Sequence, residues 1–139
     1  MLNKIVIMGR LVRDPELRHT QKDTAVSPFT LAVDRDITDS NGNRRTDFID
    51  CIAWAGTAEF VCKHFTKGSM AVVAGRLQFR DWTDKEGNKR RNAEVLVENI
   101  YFGEAKRSER RDDRYDEDGS KYGHEKFNEL PDDDGDLPF

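Results

Sequence analysis

The chain has 139 residues, 36% of them charged and 36% hydrophobic, with a formal net charge of −4. That is too charged for a packed domain throughout and too apolar for a wholly disordered chain. A mean hydropathy of −0.83 and the lack of any apolar run of about 18 residues exclude a membrane-spanning helix. The length suits one domain with a segment left over. No basic stretch followed by an apolar one precedes the first strand-like pattern, so no secretion signal is expected. Cys51 and Cys62 sit in no CxxC pair, as fits two free thiols in a cytosolic protein.

The charge is divided unevenly. Residues 1–105 hold 16 basic and 15 acidic side chains, whereas residues 106–139 hold 7 and 12. The acid is densest from Glu129 onward, where five acidic residues meet no basic one.

Residues 5–12 are apolar on nearly both parities, which predicts a strand central to a barrel. Asp14-Pro15-Glu16 breaks it. Phe29, Leu31 and Val33 then alternate with Thr30, Ala32 and Asp34, predicting a second, half-buried strand. Asn41-Gly42-Asn43 supplies a turn, and a third strand is expected from about Asp47 to Ala53. Gly56-Thr57 opens a helix, with Thr57 as the expected N-cap and Gly68 as the expected close. Phe60, Val61, His64 and Phe65 recur along it at helical spacing. A fourth strand is expected from Met70 to about Trp82, and Asp84-Lys85-Glu86-Gly87-Asn88 turns into a fifth ending near Phe102.

Five strands with one short helix between the third and fourth predict an all-β barrel of the OB-fold order. This domain is placed at residues 1–105. Residues 106–131 lack apolar periodicity and read as a disordered linker, and residues 132–139 join an acidic block to Leu137-Pro138-Phe139.

Nothing in the pattern suggests catalysis. His19, His64 and His124 fall on a loop, a helix and the tail without metal-ligand spacing, and no phosphate loop or nucleophile elbow occurs. Asp132-Asp133-Asp134-Gly135 lacks the later glutamate of a calcium loop. No enzymatic role, metal or cofactor is expected.

Strand parity is more informative. On the third strand Ile49, Cys51 and Ala53 share one face, which leaves Phe48 and Trp54 on the other. On the fourth, Val73, Gly75, Leu77 and Phe79 share one face, while Arg76, Gln78, Arg80 and Trp82 share the opposite one. Rings stack on any base, and guanidinium groups neutralise phosphates, so these faces suit single-stranded nucleic acid. The same rings also fit a barrel core or a subunit interface, and the two arginines fit a solvated strand face. A protein-binding or RNA-binding OB domain remains open at this level.

At these residues the chain resembles the bacterial and phage single-stranded DNA-binding proteins, in particular those of Gram-positive bacteria and their phages. The run from Asn3 to Arg18 is similar to the family's first strand, and the run from Asp47 to Trp54 to its third. Lys67-Gly68-Ser69, Gly75-Arg76-Leu77 and Arg80-Asp81-Trp82 resemble its fourth, and the ending in Leu137-Pro138-Phe139 its acidic tip. The resemblance implies an OB-fold homotetramer that wraps single-stranded DNA and recruits replication, recombination and repair proteins. It implies stacking by Phe48, Trp54 and Trp82, and basic contacts from Lys4, Arg10, Arg18, Arg76 and Arg80. For partner binding it implies Asp132, Asp133, Asp134, Asp136, Leu137, Pro138 and Phe139. It also implies a cytoplasmic protein found at the nucleoid or replication fork. Ile37 departs from the pattern, standing about where the family usually has an aromatic residue.

Overall fold

A computed structural model describes residues 1–105, and the expected linker (106–131) and acidic tip (132–139) lie outside the described residues. The elements are β1 (Ile5–Leu11), β2 (Arg18–His19), β3 (Ala25–Thr38), β4 (Arg44–Trp54), α1 (Ala55–His64), β5 (Met70–Thr83) and β6 (Lys89–Phe102). The expected second to fifth strands are therefore β3 to β6, because the two-residue β2 pairs only with the start of β3. The five long strands close on themselves. β1 pairs with β5, β5 with β6, β6 with β4, β4 with β3, and β3 returns to β1 through Arg10↔Ala32 and Leu11↔Leu31. Every long pairing is antiparallel except the short parallel contact Cys51↔Val95 and Ile52↔Leu96 between β4 and β6. A closed five-stranded barrel with one helix is the result, as the element order implies. No described helix is long and apolar enough to cross a membrane.

Alternate residues of each strand fill the interior. Leu11, Phe29, Leu31, Cys51, Ala53, Val73, Val95 and Val97 are buried together, and α1 adds Ala58 and Val61, followed by Phe65. Burial pushes the Cys51 thiol up to about 12, chiefly by desolvation, so this cysteine is core packing. Gly9 lies where β1 approaches β3, and a side chain there would meet the Ala32 carbonyl oxygen at 2.6 Å.

Several local expectations change. β1 buries only one parity well, since Val6 and Met8 are exposed while Leu11 is buried. A barrel strand has a single inside, so apolar residues on both faces leave one apolar surface outward. The helix begins at Ala55, not at Thr57, and Trp54 occupies its N-cap with no side-chain hydrogen bond. The chain enters by a sharp reversal, with Ala55 at φ 51° in the left-handed region, so β4 runs straight into the first turn. Thr57 thus lies inside the helix. At the other end Phe65 is the C-cap, its N–H donating to the Val61 carbonyl at 3.0 Å. Gly68, at φ 85°, instead turns the following loop, where its N–H donates to Leu11 O at 2.8 Å.

Two hairpins extend from the barrel and share one turn design. In the β3–β4 turn, Asp39 Oδ1 accepts from the N–H groups of Asn41 and Asn43, both at 2.9 Å. In the β5–β6 turn, Asp84 Oδ1 accepts from Glu86 at 3.0 Å and Asn88 at 2.8 Å. Each turn places a glycine at positive φ, Gly42 at 80° and Gly87 at 84°.

Candidate nucleic-acid interface

Parity along β4 decides where the rings go. Ile49, Cys51 and Ala53 point inward, so Phe48 and Trp54 project outward, 66% and 39% exposed. Six residues apart on one strand face, they are separated by about 20 Å at ~3.3 Å per residue. Asp50 and Ile52 lie between them on that face.

Beyond Cys51↔Val95 no pairing of β4 with β6 continues toward the hairpin ends, and the strands part. A cleft of about 280 Å³ occupies the gap. Arg13 from the loop after β1 and Arg18 of β2 line it, together with Asp50 of β4, Arg80 of β5 and Asn92 and Glu94 of β6. The fold thereby brings Arg18 and Arg80 to one place.

β5 carries Trp82, 43% exposed, on the projecting part of its hairpin, opposite Arg90. The residues flanking it, Lys89, Arg90 and Arg91 among them, form an open groove. Arg76 and Arg80 share Trp82's parity and make no ion pair among the described residues, so their charge is available. The opposite parity behaves differently from the barrel rule. Val73 and Gly75 are inside, but Leu77 is exposed and Phe79 is 61% exposed. The register shift between Ala74 and Gly75 lies where β5 begins to leave the barrel. Gly75 still faces Ile5 and Leu77 is still held by the Asn3 side chain, and beyond Leu77 the strand pairs with β6.

Lys4 and Arg10 are occupied locally. Lys4 forms an ion pair with Glu98. Arg10 donates to the Gly68 carbonyl at 2.9 Å and to the Glu104 carboxylate at 2.8 and 3.3 Å. That carboxylate, first by hydrogen bonding and then by charge, raises the Arg10 guanidinium above its ordinary value. Arg10 lies opposite Met70, ten residues along β5 from Arg80, so the two do not share a surface region. Arg18 has a looser pair with Glu16 at 3.3 Å. Ile37 is highly exposed on the β3 arm, where the resemblance expects a ring.

Sequence reasoning overlooked further groups. Arg44 and Arg45 follow the β3–β4 turn and form no ion pair among the described residues, a doublet that the sequence displays plainly. Arg13, Asn92 and Glu94 come together only once the barrel has assembled the cleft. Phe79 carries Arg91 over its ring at 5.9 Å, while Arg91 also pairs with Asp81 at 2.8 Å.

Known proteins share this arrangement of sequence. The model of the single-strand binding protein family matches residues 2–103, nearly the whole described barrel. The chain belongs to the single-strand binding protein family. Single-stranded DNA-binding protein 2 of Listeria monocytogenes is 46% identical over 106 residues, 76% of this chain and 66% of the relative. Single-stranded DNA-binding protein A of Bacillus subtilis is 46% identical over 106 residues, 76% and 62% of the two chains. The chain thus spans somewhat under two thirds of the length of these relatives. Single-stranded DNA-binding protein 2 of Staphylococcus aureus strain COL is 39% identical over 139 residues, the full length of both chains.

Proposed function

We propose that this chain is a sequence-tolerant binder of single-stranded DNA that protects the strand and recruits other proteins to it. The observation that carries the reading is the arrangement on the β4 face. Phe48 and Trp54 are exposed on either side of Asp50 and Ile52, and those two residues line the cleft reached by Arg18 and Arg80. Rings give contact to any base, and cations along the path answer the phosphates without reading sequence. Titration of intrinsic tryptophan fluorescence with poly(dT), poly(rU) and duplex DNA tests it. Quenching by poly(dT) alone supports the reading. Equal quenching by poly(rU) makes this an RNA binder, and no quenching assigns the aromatic face to protein.

The same reading includes a homotetramer. In its support, Val6, Met8 and Tyr101 are exposed on a sheet surface where Met8 pairs with Val72 and Val72 with Tyr101. Such an apolar surface is of the kind subunits cover. Light scattering of the full chain should give four copies, and Met8→Glu should reduce the mass.

For residues 132–139 the proposed role is recruitment of replication, recombination and repair proteins. Aspartates steer the encounter with a basic pocket, and Leu137, Pro138 and Phe139 supply the apolar anchor. Deleting these residues should preserve DNA affinity and abolish capture of those proteins. Loss of DNA binding, or unchanged capture, overturns the assignment.

A further inference from the structure

The segment before β1 reaches both strands of the β5–β6 hairpin where that arm leaves the barrel. The last ladder pair of β1 with β5 is Ile5↔Gly75. Two residues farther out, the side chain of Asn3 takes the place of a strand. Its Nδ2 donates to the Leu77 carbonyl at 2.8 Å, and its Oδ1 accepts from the Leu77 N–H at 3.1 Å. A carboxamide offers donor and acceptor on neighbouring atoms, as a peptide group does. The next residue, Lys4, forms an ion pair with Glu98 of β6. Glu98 is the residue that the register skips, since Gly75 faces Val97 and Ala74 faces Asn99. Asn3 and Lys4 thus hold the two strands of the arm at one bulge.

What they hold is a bend. A bulge lets a strand pair kink, and a ribbon of two strands has little stability of its own. Beyond Leu77 the arm is such a ribbon, with only β6 beside β5, and it carries Arg80 and Trp82. Trp82 lies five residues past Leu77, about 17 Å at ~3.3 Å per residue, so a swing of about 10° at the root moves the ring by about 3 Å. A ring displaced that far has lost its contact with a base. Neither Asn3 nor Lys4 lines the cleft or the groove beside Trp82. The Lys4 pair is exposed and adds little stability, so its contribution is to direction.

We infer that Asn3, helped by Lys4, is a positioning residue that fixes the direction of the β5–β6 arm and so presents Trp82 to the bound strand. This rests on the proposed single-strand binding and on stacking by Trp82. It gives Lys4 a task other than contact with phosphate.

The test is a double-mutant cycle on the full chain, read as affinity for oligo(dT). Asn3→Ala should weaken binding about fivefold with Trp82 present and less than about twofold in the Trp82→Ala background. Asn3→Gln keeps donor and acceptor and should recover part of the loss. Equal losses in both backgrounds, or no loss in either, overturn the inference, because a general weakening of the fold or a direct contact would not depend on Trp82. If Asn3→Ala does not fold, Asn3→Asp decides in the same cycle, since it removes only the donation to the Leu77 carbonyl. Lys4→Gln should leave the salt slope nearly unchanged, and a slope shallower by about 0.7 would make Lys4 a phosphate contact and strike it from the proposal. A Trp82→Ala chain that binds as tightly as wild type would instead remove the stacking reading beneath it.

Discussion

Gly75 and the carbonyl of Leu96 are in direct opposition: a Cβ on Gly75 would stand 1.9 Å from the Leu96 oxygen. The clash is with backbone, so no side chain can rotate away. It falls at the register shift where β5 pairs Ala74 with Asn99 and Gly75 with Val97. Glycine here permits the bend that sends the β5–β6 arm out of the barrel. Gly75→Ala should cost about 3 kcal/mol, the upper part of the usual overpacking range. Urea denaturation measures it, and a variant within ~0.5 kcal/mol of wild type would show that the strands do not approach so closely.

Stacking predicts a separable effect at the rings. Trp54→Ala and Trp82→Ala should each weaken single-strand binding by about 1–3 kcal/mol, with little dependence on the base. Trp82 lies on the projecting arm, so its loss should leave stability within about 0.5 kcal/mol. Trp54 borders the first turn of α1 and should show some destabilisation as well. Calorimetric binding and thermal melts on the same samples separate the two quantities. Unfolding by Trp54→Ala, with normal DNA binding by the folded remainder, would make that ring structural.

The ion-pair pattern ranks the basic residues. Arg76→Gln with Arg80→Gln should make the slope of log affinity against log salt shallower by about 0.7 for each phosphate left without its arginine. Lys4→Gln and Arg10→Gln should change it less, because Glu98 and Glu104 already answer those charges. Equal slopes for all four changes would contradict the ranking.

Acid should loosen the β5–β6 turn only below the ordinary carboxylate range. The Asp84 carboxyl lies below its ordinary value, mainly through the Asn88 backbone N–H and further through Arg90. A carboxyl depressed on folding stabilises fully above its unfolded value, about 3.9. That contribution disappears as pH falls through the lower folded value. An NMR titration should therefore find Asp84 protonating below pH ~4, together with a shift of the Asn88 amide. Asp84→Asn should remove the coupled amide titration. Titration of Asp84 at the ordinary value would refute the contact.

What is legible in the sequence is local and alternating. Phe48 and Trp54 can be placed outward because Ile49, Cys51 and Ala53 claim the interior of the same strand. Leu77 and Phe79 defeat the same reasoning, since parity assigns a face but does not reveal where a strand runs out of barrel. Thr57 has the chemistry of a helix cap, yet the reversal at Ala55 starts the helix earlier, and tertiary direction overrides the capping signal. The carboxylate that holds Arg10 is 94 residues away, and the cleft depends on a parallel pairing across 44 residues. No window on the sequence spans either.

The matched aspartate turns at Asp39 and Asp84 bear on how a floppy ligand is met. A single strand surrenders many backbone rotations when it settles on a surface, and any mobile protein arm would surrender its own besides. Here both arms have their ends pinned in advance, each by one carboxylate oxygen accepting two backbone N–H groups. The ordering cost of association then falls mostly on the nucleic acid, and the protein side arrives already shaped.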